Sequence, residues 1–212
     1  MSGRVWLFDL DNTLHNASAH VFPQINRSMT AYLQTHLQLN EEEANALRVD
    51  YWQRYGATLT GLMKHHDTDP DHFLWHTHQF PELRQLVLRQ PRLHHVLRGL
   101  PGRKLVFSNA PQQYARAVLK LLRVDDLFED VFAIEHSHYK PKPQMEGFRH
   151  LLRKYHLHGT QCVMVEDSIE NLLTAKRLGM RTVLVGAVSH TPAHVDVKIR
   201  AVLDLPRVLG KL

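Results

Sequence analysis

The stretch VWLFDLDNT, residues 5–13, decides the fold of this chain. Its first four residues, Val5–Phe8, are all apolar, which predicts a short strand buried on both faces of a parallel sheet. Asp9 and Asp11 come directly after them, so folding would place two carboxylates beside an apolar core. Carboxylates in such a setting are normally paired, hydrogen-bonded or bound to a cation. The stretch therefore predicts that this acidic pair has partners elsewhere in the chain.

Similar apolar runs recur along the rest of the chain and alternate with helical patterns. Further strands are predicted at 104–107, 131–134, 162–165, 182–185 and Val197–Ile199. Helices are predicted between or after them at Gln112–Leu122, 145–155, 169–178 and 205–209. This alternation predicts an α/β fold with a doubly wound, Rossmann-like parallel sheet.

Residues 9–103, between the first two predicted strands, have the pattern of helices alone. Apolar residues recur at every fourth position along the first of these helices, at Val21, Ile25, Met29, Leu33 and Leu37. Further helices are predicted at Glu41–Tyr55, 70–78 and 81–88, and the last two begin with a proline. We therefore expect an α/β core of residues 1–15 and 101–212 and an inserted helical domain of residues 16–100.

The 26 basic and 21 acidic residues give a net charge of +5, and the positive charges are scattered along the chain. Scattered positive charge suits small anions such as phosphate esters better than specific binding to nucleic acid. No apolar stretch approaches the roughly 20 residues of a membrane helix, and the N-terminus lacks a signal-peptide pattern. The single cysteine, Cys162, excludes a disulfide within the chain, and we expect its thiol to be buried. These features predict a cytoplasmic protein that does not bind membranes.

Polar residues follow three of the later predicted strands at the points where those strands end. They are Ser108 and Asn109 after the second strand, Lys140 and Lys142 after the third, and Glu166 and Asp167 after the fourth. Because ligands bind at the carboxyl ends of parallel strands, we expect these residues to meet Asp9 and Asp11.

Four converging carboxylates would repel one another, and a bound divalent cation would relieve that repulsion. Mg²⁺ is the expected ion, since it is held by a few carboxylates and completes its shell with water and phosphate oxygens. A lysine and a hydroxyl would bind the remaining phosphate oxygens. The chain has no GxxxxGK[ST] loop, which excludes P-loop chemistry. The sequence therefore predicts Mg²⁺-dependent phosphoryl transfer outside the P-loop class.

Four short segments resemble the four motifs of the haloacid dehalogenase (HAD) superfamily, in the same order. They are DLDNT at 9–13, SN at 108–109, KPQMEGF at 142–148 and EDS at 166–168. The helical segment after the first motif resembles the C1-type cap of that superfamily. A second aspartate in the first motif, here Asp11, marks the phosphatases and phosphomutases rather than the dehalogenases. The resemblance thus implies a phosphatase.

The resemblance also implies roles for the acidic residues. Asp9 would attack phosphorus and form an aspartyl-phosphate. Asp11 would protonate the leaving oxygen and then deprotonate the attacking water. Mg²⁺ would be held by Asp9, Asp167 and the backbone carbonyl of Asp11, with Glu166 acting through water.

The phosphate-binding residues implied by the resemblance are Thr13, Ser108, Asn109 and Lys142, which would position the phosphoryl group and stabilise its charge. Lys142 is favoured over Lys140 because an aromatic residue, Phe148, follows it at the six-residue spacing of the family motif.

The segment YGATLTGLM, residues 55–63, has the glycines and threonines of a loop that approaches a ligand closely. Together with DNTLH and NRSMTAYL it resembles the pyrimidine 5′-nucleotidase branch of the superfamily, which hydrolyses nucleoside monophosphates such as UMP and CMP. The expected base- and ribose-binding residues are Asn16, Phe22, Asn26, Arg54, Tyr55, Thr58 and Gly61. We expect a monomer or a homodimer.

Two other functions remain open on the sequence. A sugar phosphatase or phosphoglucomutase-like enzyme would use the same core motifs with a different cap. A catalytically silent binding module would be free to lose catalytic residues, and here every one of those positions holds a competent side chain.

Overall fold

Within residues 3–187 and 191–212, which the computed structural model describes, six strands form one parallel sheet. The strands are β1 (Val5–Phe8), β2 (Arg103–Phe107), β3 (Asp130–Phe132), β4 (Cys162–Glu166), β5 (Arg181–Val185) and β6 (Val197–Ile199). Their order is β3-β2-β1-β4-β5-β6, and every neighbouring pair is parallel. This order reverses its direction at β1, as in doubly wound folds. The predicted fold class is confirmed.

Helices lie in the first four connections between the strands. Between β1 and β2 lie α1 (Ala17–Leu37), α2 (Glu41–Tyr55), α3 (Thr58–His66), α4 (Pro70–Thr77), α5 (Leu83–Leu86) and α6 (Pro91–Gly99). The later connections carry α7 (Gln112–Leu122), α8 (Met145–Lys154) and α9 (Ile169–Arg177). The described residues also include four 3₁₀ segments, at Asp125–Leu127, Ile134–Ser137, Gly159–Gln161 and Val202–Lys211. No helix in the described part of the chain has the length and hydropathy needed to cross a bilayer.

The central strand β1 is buried on both faces, which explains its unbroken apolar sequence. Trp6 and Phe8 pack with α6 and α7 on one face, and Val5 and Leu7 pack with α8 and α9 on the other. Phe8 pairs in register with Val106 and Val165, the next-to-last residues of β2 and β4. The first residues after β1 therefore lie beside the carboxyl ends of both neighbouring strands. Cys162, at the start of β4, is a buried free thiol as predicted.

The helical segment between β1 and β2 has an apolar cluster of its own. Leu33, Leu62 and Phe73 are almost fully buried there, each on a different helix. The ends of the segment pack elsewhere, since Val21 of α1 and Leu97 of α6 join the cluster on the sheet. The outer helices, α1 to α4, thus share an apolar cluster separate from that of the sheet. The segment is joined to the sheet through α1 and α6.

The prediction of a loop at residues 55–63 is wrong, because α3 begins at Thr58. Gly56, with a φ of 77°, ends α2 and leaves only two residues between the helices. Gly61 lies inside α3 against the ring of Tyr51, where an added Cβ would come within 2.3 Å of the ring. The role of Gly61 is therefore to let α2 and α3 pack closely.

Three other predicted elements differ from the structure by two residues or more at one end at least. The strand predicted at 131–134 ends at Phe132, because Ile134 turns into a 3₁₀ segment and packs in the apolar cluster of the outer helices. The helix predicted at 81–88 is confined to Leu83–Leu86, since the backbone becomes extended at Val87. The helix predicted at 205–209 belongs to the 3₁₀ segment Val202–Lys211, where Pro206 has no N–H to continue an α-helix.

Candidate active site

Acidic residues from two strands meet at the carboxyl end of the sheet. Asp9 follows β1 directly, and its N–H donates to the carbonyl oxygen of Val165 in β4 at 2.9 Å. This bond holds Asp9 beside Glu166 and Asp167, which end and follow β4. One carboxylate oxygen from each of the three residues lies within 4.8 Å of the others. The close approach of Asp9 and Asp167 allows both to contact a single cation.

Lys142 lies in the middle of this acidic group, with a side chain that is 1% exposed. Its Nζ donates to Asp9 Oδ1 at 2.7 Å, to Glu166 Oε2 at 2.8 Å and to the carbonyl oxygen of Phe107 at 2.8 Å. All three protons of the ammonium group therefore have acceptors. Lys140, the other candidate, is exposed. The structure brings Lys142, and not Lys140, to the carboxylates.

Asn109 fixes the loop that carries Lys142. The Lys142 N–H donates to Asn109 Oδ1 at 2.8 Å, and Asn109 Nδ2 donates back to the Lys142 carbonyl oxygen at 3.1 Å. Ser108 is buried beside them, and its Oγ accepts from the N–H of Ala110 at 3.0 Å. Both Ser108 and Asn109 line the same cavity as Asp9. The Asn109 side chain is occupied with this loop, so its backbone N–H is the group left to meet an anion.

The electrostatics of the group favour a cation. Burial raises the pKa of Asp9 to about 7, with Glu166 adding to the rise and Lys142 opposing it. Burial likewise raises the pKa of Glu166 and of Asp167 above their ordinary values. Burial alone would lower the pKa of Lys142, but Asp9 and Glu166 raise it. One ammonium cannot balance three carboxylates, and their oxygens are the ligands that Mg²⁺ prefers.

Glu166 has a different environment from the other two acids. Its Oε2 accepts from Lys142, and its Oε1 accepts from the N–H groups of Asp167 at 3.1 Å and Ser168 at 3.2 Å. The resemblance implies that Glu166 acts on the metal through water. In the structure, both of its oxygens accept hydrogen bonds from the protein, and the residue holds Lys142 in place.

A cavity of about 620 Å³ opens from these residues toward the helical segment. Its lining includes Asp9, Asp11 and Asp167 from the sheet edge, and Met29 and Trp52 from α1 and α2. This volume lies in the usual range for pockets that bind small molecules. Trp52 is 60% exposed, which is unusual for so large an apolar side chain and leaves its ring available to a ligand.

Three of the seven predicted substrate residues line this cavity, namely Phe22, Asn26 and Thr58. The other four lie outside its lining. Asn16 caps α1 by accepting from the Ala19 N–H, and Arg54 forms an exposed ion pair with Asp50 at 2.7 Å. Tyr55 hydrogen-bonds to His65 at 2.7 Å, and Gly61 packs against Tyr51.

Thr13 also lies outside the lining of the main cavity, although it was expected to bind phosphate. Asn12 adopts a φ of 61°, and the Leu14 N–H donates to the Leu10 carbonyl oxygen, so the backbone turns sharply after Asp11. This turn carries Thr13 to a second, smaller cavity. Asn12 lines the main cavity in its place.

Sequence reasoning missed several residues that line the cavity. Arg48 and Trp52 are four residues apart and share one face of α2, a spacing that was visible in the sequence. His78 and Tyr139 come from connecting segments whose direction no local pattern reveals. His78 is buried, and burial lowers its pKa to about 4 despite the nearby Asp11 carboxylate.

Residues 4–179 match the family model described as haloacid dehalogenase-like hydrolase. Among curated proteins, the chain is similar to Phosphate metabolism protein 8 of Saccharomyces cerevisiae, with 29% identity over 154 residues. The matched region covers 68% of this chain and 46% of the yeast protein, so the chain spans about half the length of that relative.

Two solved structures illustrate the similarity of fold. A HAD phosphatase from Thermococcus onnurineus matches with a TM-score of 0.69 and 20% identity, over 100% of this chain and 99% of that one. The HAD-hydrolase YfnB from Bacillus subtilis, bound to magnesium, matches with a TM-score of 0.64 and 13% identity, over 99% and 100%. At such low identity these two likenesses show the fold alone. The family match extends over most of the 212 residues, and the chain belongs to the haloacid dehalogenase-like hydrolase family.

Proposed function

We propose that the protein is a Mg²⁺-dependent phosphomonoester hydrolase that forms an aspartyl-phosphate on Asp9. The observation that carries the proposal is the arrangement around Asp9. Lys142 Nζ contacts Asp9 at 2.7 Å, and an oxygen of Asp167 lies within 4.8 Å of an oxygen of Asp9. Lysine and a cation are the groups that stabilise a transferring phosphoryl group. The names of a relative and of a structural neighbour, which refer to phosphate metabolism and to a phosphatase, agree with this chemistry.

Asp9, Asp167 and the backbone carbonyl of Asp11 would hold the magnesium ion in this proposal. The ion would neutralise negative charge on the phosphate oxygens and on the acidic residues around them. The donor set fits Mg²⁺, since it consists of oxygen atoms, and Mg²⁺ usually completes its shell with water and phosphate oxygens.

The reaction proceeds in two displacements at phosphorus. An Asp9 oxygen forms a bond to phosphorus while the bond from phosphorus to the leaving oxygen breaks, and Asp11 gives that oxygen a proton. Water then attacks the phosphorus of the aspartyl-phosphate and passes its proton to Asp11, which releases phosphate and restores Asp9. Lys142 and Ser108 stabilise the charge of the phosphoryl group during both displacements.

A pyrimidine nucleoside 5′-monophosphate is the substrate that we propose. The cavity wall carries Phe22 and the exposed ring of Trp52, which offer flat surfaces against which a base can stack. Asn26 and Arg48 supply polar groups in the same wall. A nucleobase presents a ring that can stack and polar edges that can hydrogen-bond, whereas a sugar phosphate has no aromatic ring.

A panel of phosphate monoesters tests both the reaction and the substrate. Release of inorganic phosphate is measured for UMP, CMP, AMP, glucose 6-phosphate and p-nitrophenyl phosphate, in Mg²⁺ and in EDTA. We expect the highest kcat/KM for UMP and CMP, no release in EDTA and recovery with added Mg²⁺. Preference for glucose 6-phosphate would contradict the nucleotidase assignment, and equal release in EDTA would contradict the metal requirement. Absence of release from every ester would favour the binding module.

Arg48 is expected to contribute to recognition of the substrate outside its phosphate group. Arg48 lines the cavity, and its Nη1 donates to Asn26 at 3.0 Å. The guanidinium is therefore held in the cavity wall, where it offers a charged donor to a ligand acceptor. For Arg48→Ala we expect KM for UMP to rise about tenfold to a hundredfold, as for loss of a charged hydrogen bond.

The same helix supplies a matched control for this substitution. Arg54 is exposed and paired with Asp50, outside the cavity, so Arg54→Ala should leave KM for UMP unchanged. The KM of both variants for p-nitrophenyl phosphate should stay near that of the parent protein, because this ester has no base. A larger effect of Arg54→Ala than of Arg48→Ala would contradict the assignment.

A further inference from the structure

The carboxylate of Asp11 is held unevenly, through one of its two oxygens. Tyr114, in the first turn of α7, donates its hydroxyl proton to Asp11 Oδ1 at 2.7 Å. The Nε2 of His15 lies 3.0 Å from the same oxygen. Within residues 3–187 and 191–212, no hydrogen bond reaches Oδ2 of Asp11. Asp11 itself lines the main cavity, so Oδ2 is the oxygen that remains available to a substrate there.

Among the described residues, the His15 ring has no hydrogen bond other than its contact with Asp11. Its side chain is 1% exposed, and its Nδ1 is buried without a partner in the described part of the chain. A polar ring nitrogen left in this state is unfavourable, so the contact of Nε2 with Asp11 must outweigh that cost. Donation from His15 to Asp11 requires a proton on Nε2.

Tyr114 is fixed from the side of the helical segment. Its side chain is almost fully buried, and the ring of His78 packs edge-to-face on it with 5.8 Å between the ring centroids. His78 is held in turn by Thr77, whose Oγ1 lies 2.9 Å from His78 Nδ1. The phenol is therefore locked with its hydroxyl toward Asp11, and it has little freedom to turn away.

We propose that Tyr114 and His15 are positioning residues that make Oδ2 of Asp11 the oxygen that carries and transfers the proton. The inference rests on the proposed phosphatase function. The two hydrogen bonds to Oδ1 occupy its lone-pair directions and leave none for the acidic proton. The proton of a protonated Asp11 therefore resides on Oδ2. In the first displacement the Oδ2–H bond breaks as the leaving oxygen gains that proton and loses phosphorus. In the second, Oδ2 takes a proton from the attacking water.

Dependence on the leaving group distinguishes this role from a purely structural one. The p-nitrophenolate ion leaves readily without a proton, whereas a nucleoside or alkyl alkoxide needs one. For Tyr114→Phe we expect kcat/KM with UMP, which reports formation of the aspartyl-phosphate, to fall about tenfold to a hundredfold, as for loss of a hydrogen bond to a charged group. We expect kcat/KM with p-nitrophenyl phosphate to change less than about twofold, because the first displacement on that ester does not need the acid. Loss of structure would lower both rates together.

Tyr155→Phe is the matched control. Tyr155 also donates to an aspartate, Asp130, at 2.7 Å, and Asp130 begins β3 at the end of the sheet opposite the site. Tyr155→Phe should lower neither rate. His15→Leu removes the second donor and should shift the ratio of the two rates in the same direction as Tyr114→Phe. Equal losses on both esters, or unchanged rates, in both Tyr114→Phe and His15→Leu would overturn the inference.

The parent protein separates failure of this inference from failure of the proposed function. If the parent protein releases no phosphate from either ester, the phosphatase proposal fails and this inference fails with it. If the parent protein is active and both variants keep its ratio of rates, the positioning role alone is overturned.

Discussion

Replacing Asp9 with asparagine is expected to lower phosphate release by roughly 10⁴-fold or more, as for removal of a catalytic nucleophile. The amide keeps the shape of the side chain but cannot act as a nucleophile toward phosphorus. Initial rates with UMP and with p-nitrophenyl phosphate should fall together, because both esters need the same nucleophile. This shared loss differs from the selective loss expected for Tyr114→Phe.

Asp130→Asn provides a matched control for the change at Asp9. Asp130 begins β3, so it lies at the opposite end of the sheet, where it pairs with Arg116 at 2.9 Å. This variant should keep nearly the full rate even if its stability falls. Comparable and modest losses of activity in both variants would show that Asp9 is not the nucleophile.

Lys142→Met is expected to have the second largest effect, on both activity and stability. The ammonium group contacts Asp9 and Glu166, both of which are almost fully buried. Its removal leaves these carboxylates without their cation, and breaking a buried pair in this way costs about 3–5 kcal/mol of unfolding free energy. The rate should fall by roughly 10²–10³-fold, as for loss of one group that stabilises the transition-state charge.

Denaturant unfolding in EDTA measures the stability change without a compensating metal ion. The control is Lys140→Met, since Lys140 is exposed two residues away on the same loop. Surface changes of this kind usually alter stability by less than about 0.5 kcal/mol. A greater loss of rate or stability for Lys140→Met than for Lys142→Met would contradict the account of the site.

The sheet and its edge residues were predictable because a parallel strand carries both signals in its own sequence. Val5–Phe8 is apolar throughout because β1 is central and buried on both faces. The residue after a parallel strand must lie at the ligand-binding edge, so the amino-acid pattern alone places Asp9 and Asp167 there. The choice of Lys142 over Lys140 rested on motif spacing, and the burial of Lys142 now gives it a physical reason.

The residues of the helical segment were harder to predict, because composition does not tell which side of a helix meets a ligand. Arg48 and Arg54 both lie on α2, yet Arg48 lines the cavity and Arg54 pairs with Asp50 in solvent. The two positions are six residues apart and so lie on different sides of the helix. The orientation of α2 depends on its packing against α1 and α3, including the contact of Gly61 with Tyr51, which no local pattern encodes.

Contacts between distant parts of the chain were also beyond local reasoning. Tyr114 follows Asp11 by 103 residues and reaches it because β1 and β2 are neighbours in the sheet. Glu166 was expected to act on the metal through water, and the sequence did not indicate that its oxygens accept from Lys142 and two backbone N–H groups. Such differences between neighbouring acidic residues follow from tertiary geometry.

The most direct test of the central claim is to trap the phosphorylated protein. Asp11→Asn should accumulate it, since this variant lacks the base that activates water while p-nitrophenolate still leaves without an acid. The variant is mixed with radiolabelled p-nitrophenyl phosphate and Mg²⁺, quenched in acid within the first turnover and digested. We predict label on the peptide that contains Asp9, and none when Asp9→Asn is added to the same variant. Release of p-nitrophenolate without label on that peptide, or label on another residue, would contradict the account.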